Sequence, residues 1–191
     1  MRWGGRDIRG YGALVTSVAG TGWLITSGEQ DPGTVQRLLG LLPGWFGIEA
    51  SNAGYIEAAR ELTTYRAWSP DQPGGEPAGV LLARRHFPQS AEIHLLAVDP
   101  ALHRRGAGRA LVRALEADLI ADGAEYLQVK TLGPGNPDAG YELTRRFYLS
   151  LGFRPLEELH GLWDPGNPCL IMVKALRPDR PESRPRRGGQ S

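Results

Sequence analysis

The stretch Ala91–Leu115, AEIHLLAVDPALHRRGAGRALVRAL, decides the reading of this chain, because one structural period gives way to another inside it. Through Val98 it reads as a strand. After Asp99-Pro100, residues Leu102, Ala107, Ala110, Leu111, Ala114, Leu115 and then Leu119 recur at helical spacing and stop near Gly123. Between the two lies His103-Arg-Arg-Gly-Ala-Gly108. A turn entering a helix exposes unpaired N–H groups at the positive end of the helix dipole, and glycines let an anion approach that backbone. Arg104, Arg105 and Arg109 add positive charge there. The pattern fits an anion-binding turn, and equally an ordinary basic strand-to-helix turn. A Walker loop is excluded because no Lys-Ser/Thr follows the glycines, and the third glycine of a GxGxxG fingerprint is absent.

Working upstream, Asp31-Pro32 supplies an N-cap and a first-turn proline for a helix ending near Pro43, and a second helix is expected over Ala53–Leu62. Thr63–Trp68, Ala78–Phe87 and Ala91–Val98 read as successive strands, the first two joined by the turn DQPGGEP, residues 71–77. Downstream, a strand over Glu125–Thr131 leads through LGPGNPDAG to a helix over Tyr141–Leu151, then to strands near Phe153–Leu159 and Leu170–Leu176. The expected fold is α/β (α+β), a mixed and mainly antiparallel sheet with a central β-α-β crossover and flanking helices.

At 191 residues the chain suits one domain. The Gly- and Arg-rich residues 1–10 read as a loose extension, residues 11–176 as the folded unit, and residues 177–191 as a disordered tail. A net charge of +1 offers no global attraction to nucleic acid or membrane. Cys169 is the one cysteine, so neither an internal disulfide nor a cysteine-rich zinc cluster can form. His86, His94, His103 and His160 are scattered, and no metal is expected. The opening MRWGGRDIRG lacks the apolar run of a signal peptide and no stretch is apolar enough to span a bilayer, so a cytoplasmic location is expected.

The turn at residues 103–108 resembles the acetyl-CoA pyrophosphate loop of the GNAT N-acetyltransferase superfamily, Gln/Arg-x-x-Gly-x-Gly/Ala, with LLAVDP before it and RALVRAL after it. Tyr126-Leu-Gln-Val-Lys130 resembles the following family strand, and FYLSLGF, residues 147–153, its Tyr-x-x-x-Gly-Phe ending. Together these cover about half the chain in the family's order, and the whole resembles bacterial members with no assigned acceptor. Two departures stand out: His103 at the Gln/Arg position, and Tyr141 where an Asn is common. The resemblance implies acetyl-CoA as co-substrate, held by Leu96, Ala97 and Val98 and by the backbone of Arg104, Arg105, Gly106, Ala107, Gly108 and Arg109. It implies an amine acceptor as the other partner, and it is compatible with a homodimer.

Amine acetylation needs a neutral nucleophile, a stabilised oxyanion and a proton for the departing thiolate. Strand alternation puts Glu92, His94, Leu96 and Val98 on one face, opposite Ile93, Leu95 and Ala97, so Glu92, His94 or a water between could take the ammonium proton. Glu92 resembles in position the glutamate base of histone-type members; Gln128, where ribosomal-protein enzymes place a base, cannot titrate. The resemblance makes Tyr148 the proton donor to the CoA sulfur, with Phe147 beside it a core residue. The loop LPGWFGIEASN, residues 42–52, is the expected acceptor wall, through Trp45, Phe46 and Glu49. Trp163 and Cys169 read as packing groups. Small amines and protein amines both remain open as acceptors, and a non-catalytic acyl-CoA-binding module is the rival reading.

Overall fold

The computed structural model describes residues 14–17, 22–72, 74–164 and 166–176; the expected extension 1–10 and tail 177–191 lie outside them. One eight-stranded sheet runs in the order β1-β2-β3-β4-β5-β6-β8-β7. Its strands are β1 (Leu14–Ser17), β2 (Leu24–Ser27), β3 (Thr63–Trp68), β4 (Gly79–Phe87), β5 (Ser90–Val98), β6 (Tyr126–Leu132), β7 (Arg154–Asp164) and β8 (Asn167–Ala175). Every neighbouring pair is antiparallel except β5 and β6, which are joined by the crossover helix α3 (Ala107–Ala121). The expected mixed sheet with its central β-α-β unit is the observed one.

Alternation along the strands builds two cores. Leu81, Ala83, Ala91, Ile93, Leu127 and Val129 pack with the apolar stripe of α3 (Ala110, Leu111, Ala114, Leu115) and with Tyr148, Leu151 and Phe153 from the end of α4 (Ala139–Ser150). On the other face Val80, Leu82, Leu95 and Ala97 pack under α1 (Pro32–Gly40), whose Val35, Leu38 and Leu39 are buried. The start of α1 is as expected, with Pro32 in its first turn and the Asp31 carboxylate accepting from Thr34 N–H at 2.9 Å.

Three boundaries differ from the sequence reading. α2 spans Glu49–Ala58, four residues early, because Ile48 caps it without any side-chain hydrogen bond and leaves no cap signal to read. α3 starts at Ala107 rather than near Leu102: Pro100–Leu102 is a separate 3-10 turn, and positive φ at Arg104 (62°) and Gly106 (93°) breaks the helix between them. The last two strands extend further, to Asp164 and back to Asn167.

A fourth difference bears on the site. Leu82 pairs with Leu95 but Ala83 pairs with Ile93, so His94 is an extra residue, a bulge in β5. The bulge reverses alternation: Glu92, His94, Leu95 and Ala97 share the α1–α2 face, while Leu96 and Val98 turn to the α3 core. The expectation that Leu96 and Val98 share the face of Glu92 is therefore corrected, since strict alternation holds only in an unbulged strand.

Candidate functional site

β5 and β6 pair only from Ser90–Ile93 to Tyr126–Val129. Beyond Ile93 that pairing ends, so among the described residues Leu95–Val98 pair in the sheet with β4 alone. The parallel pairing thus stops in the middle of the sheet, and the chain runs from the unpaired end of β5 through the turn at residues 99–106 into α3.

The turn feeding α3 is held by its own residues. Trp23, buried, donates its indole N–H to Arg105 O at 2.8 Å, and Arg105 Nη1 lies 3.2 Å from Asp71 Oδ2. Arg109 Nη2 donates to Ser150 Oγ on α4 at 2.9 Å. The N-cap is Gly106, which offers the first-turn amides no side-chain acceptor. Its φ of 93° is a left-handed conformation that favours glycine. Gly108 has a different role: a Cβ there would meet Phe147 Cζ at 3.2 Å, so this glycine lets α4 pack closely on α3. His103 Nε2 lies 2.9 Å from Val98 O, and its ring meets Trp45 edge-on at 5.9 Å.

On the opposite face a cavity of about 240 Å³ is lined by Tyr55, Glu92, His94, Lys130, Leu162 and Trp163. Glu92 is buried, with Oε2 receiving Lys130 Nζ at 2.8 Å and Gln128 Nε2 at 3.3 Å, and lying 2.6 Å from His86 Nε2. Its Oε1 lies 3.9 Å from His94 Nδ1. Burial alone would raise the Glu92 pKa, but the adjacent His94 ring and the hydrogen bonds from Lys130 and His86 outweigh it and hold the carboxyl well below the usual range. Glu92 is thus a persistent anion and a weak proton acceptor.

Tyr55 from α2 stands against His94 (ring centroids 5.5 Å) and Phe46 (5.9 Å). Tyr148 is buried on the α3 side between Phe147 and Phe153, with centroids at 5.2 and 5.5 Å. Burial, reinforced by the nearby Tyr55 oxygen, pushes its phenol up and keeps it protonated. Thr131, buried on the β6 segment beyond the last β5 pair, has a hydroxyl with no hydrogen-bond partner. In Cys169 burial likewise raises the thiol, against an opposing pull from Lys130, so it stays neutral.

The α1–α2 loop closes over this region. The Tyr141 hydroxyl, standing where the family commonly has Asn, donates to Trp45 O at 2.8 Å. Trp45 and Phe46 are half-buried, whereas Glu49 is exposed and lies outside the cavity lining. The sequence reading brought Glu92 and His94 together but did not single out Tyr55, which lies within the expected helix as well as the observed one, or Lys130. The signal for Lys130 was present: the parallel register sets Glu92 beside Gln128, with Lys130 two residues on. A separate cavity of about 300 Å³ lies against α4, lined among others by Arg145, Leu149, Pro155 and Met172, and contains none of the expected site residues. Among the described residues no cluster could hold a metal ion and no helix is long and apolar enough to cross a membrane.

No curated protein sequence matches the chain. Solved structures do match its fold. A Desulfovibrio desulfuricans protein assigned to the GNAT family superposes with a TM-score of 0.69 at 20% identity, covering 81% of this chain and 99% of that one. The ribosomal-protein-S18-alanine N-acetyltransferase of Escherichia coli gives 0.65 at 19%, covering 84% and 97%. An aminoglycoside 6'-N-acetyltransferase complexed with coenzyme A gives 0.62 at 22%, covering 83% and 99%. At these identities the likeness concerns the fold. The sequence profile of the acetyltransferase (GNAT) family matches residues 38–153, more than half of the chain, across the split sheet and the glycine turn. The chain therefore belongs to the acetyltransferase (GNAT) family, whose activity is acyl transfer.

Proposed function

We propose that the protein transfers an acetyl group from acetyl-CoA to a primary amine of a small molecule, by direct attack within a ternary complex. The observation that carries this reading is the early end of the β5–β6 pairing: β5 continues unpaired on that side toward a basic, glycine-capped helix start, and the Glu92–Lys130–histidine cluster lies on the sheet face opposite α3. Three features fit an extended thioester with a diphosphate. The α3 amides lack a side-chain cap, residues 94–98 offer backbone on their β6 side, and the buried Thr131 hydroxyl lacks a partner. Acetyl-CoA supplies the activated acyl group.

In this reading the backbone of Arg104, Arg105, Gly106, Ala107, Gly108 and Arg109 holds the diphosphate, and Leu96, Ala97 and Val98 run beside the pantetheine arm. Tyr148, kept protonated by burial, donates to the thiolate as the intermediate collapses. Glu92 was the expected base, but an anion so firmly held is better suited to positioning. His94, directly or through water, takes the ammonium proton, and Glu92 orients it. Calorimetric titration with acetyl-CoA, followed by free-thiol release with a panel of amines, tests the proposal. Stoichiometric binding and amine-dependent thiol release are expected; no binding at millimolar acetyl-CoA overturns it.

A further inference from the structure

The charge balance of the acceptor cavity narrows the amine, on the basis of the acetyl-transfer reading above. We infer that the acceptor is an apolar α-amino acid: a primary amine with a carboxylate beside it and a hydrocarbon side chain.

A cavity that selects polycationic amines needs carboxylates free to face them. Among the six lining residues Glu92 is the one acid, and its Oε2 is already engaged by His86, Lys130 and Gln128. Glu49, the acid of the neighbouring loop, is exposed and outside the lining. Glu92 and Lys130 therefore neutralise each other, and what the cavity presents is that pair, Glu92 Oε1 and the Lys130 protons outside their mutual hydrogen bond, beside the His94 ring. A second ammonium on the acceptor would meet Lys130 as a like charge. A carboxylate would instead receive a charge-assisted hydrogen bond, since Lys130 carries three protons and gives one to Glu92.

The rest of the lining is hydrocarbon. Leu162 and Trp163, at the end of β7, are 47% and 46% exposed, and Tyr55 lines the same cavity. These surfaces suit an aliphatic or aromatic side chain. The cavity, about 240 Å³ and open to solvent on one side, has room for one amino acid. In the reaction the α-nitrogen attacks the thioester carbonyl carbon, the new N–C bond forms and the C–S bond breaks. His94 takes the first ammonium proton, Tyr148 protonates the thiolate as the C–S bond breaks, and the second proton shed by the nitrogen as the amide forms returns to the Tyr148 oxygen, directly or through water, giving an N-acetyl amino acid and free CoA thiol.

The test compares phenylalanine, phenylalaninamide, phenethylamine, spermidine and an aminoglycoside by thiol release from acetyl-CoA with the full chain. Phenylalaninamide is the decisive comparator, because it keeps the ring and an α-amine while losing the negative charge. Phenylalanine should exceed it at least about tenfold in kcat/KM, the scale of one charge-assisted contact. In Lys130→Met that ratio should collapse toward one, and in Lys130→Arg it should persist. A ratio measured on one preparation does not depend on how much of a variant folds. Equal rates for acid and amide, or a preference for spermidine or the aminoglycoside, would overturn the inference. Acetyl-CoA binding without thiol release from either amino-acid derivative would overturn it and leave the transferase reading standing. Loss of acetyl-CoA binding in the wild type would remove both.

Discussion

Replacing Gly106 by alanine probes the anion turn through its backbone alone. The residue has φ 93° and ψ −2°, and a Cβ added there would touch nothing closer than Trp23 Nε1 at 3.8 Å, an ordinary contact. The penalty is therefore conformational, about 1–2 kcal/mol for an L-residue held left-handed. For a chain of this size about 1 kcal/mol corresponds to roughly 2–4 °C, so the melting temperature should fall by ~2–8 °C. If the chain escapes the strain by rotating φ, it re-aims the first amides of α3, and acetyl-CoA affinity should fall as well. Gly40 is the control, because it ends α1 in the helical region and a Cβ added to it would have no atom within 4 Å. There alanine should leave the melting temperature unchanged or raise it, by up to the ~1 kcal/mol helix advantage over glycine. Thermal denaturation by circular dichroism and calorimetric titration read the two effects. A Gly106→Ala protein with wild-type melting temperature and affinity would refute the claim that the left-handed turn holds the site.

Tyr148→Phe should lower turnover by ~10²-fold with acetyl-CoA affinity nearly intact, the loss typical of a general acid; full turnover with chemistry shown to limit the rate would return Tyr148 to the core. Glu92→Gln should destabilise the protein in a pH-dependent way. Because the folded pKa of Glu92 lies below the ordinary 4.5, its stabilisation is present above that value and is lost as pH falls toward the folded pKa. The gap between wild type and variant in urea unfolding should be widest near neutrality and shrink below pH 4.5; a constant gap would refute it. Thr131→Val removes a buried hydroxyl without a partner, so the free protein should gain about 1 kcal/mol while acetyl-CoA binds more weakly; unchanged affinity would remove Thr131 from the cofactor path.

Much of this arrangement was legible in the sequence where a signal is local. Asp31-Pro32 marks the start of α1, the change of period after Asp99-Pro100 marks the crossover, and Gly123 and Gly152, both at positive φ, mark helix ends. What could not be read is set by contacts distant in sequence. The bulge at His94 depends on how β4 pairs with β5, and nothing in SAEIHLLAV announces it. Tyr55 meets His94 only through the packing of α2 on β5, a contact distant in sequence that the helical pattern does not announce. The two glycines of the turn look alike in sequence, yet one answers to φ and the other to Phe147, far along the chain on α4. The low pKa of Glu92 likewise requires His86 and Lys130 to meet across three strands.

The short parallel seam between β5 and β6 has a mechanical consequence. β1 through β5 and β6 through β8 are two half-sheets, laced together over Ser90–Ile93 and Tyr126–Val129 at one end and bridged by α3. On the placement proposed above, acetyl-CoA along residues 94–98 would act as a splint across that seam, gripping both halves in the folded state alone. Its stabilisation follows mass action, about 2.7 kcal/mol at a concentration one hundred times its dissociation constant. The supply of acetyl donor then sets how firmly the molecule is held together as well as how fast it works. On that placement, a cell depleted of the donor would leave the seam unsplinted and the chain more open to proteolysis there.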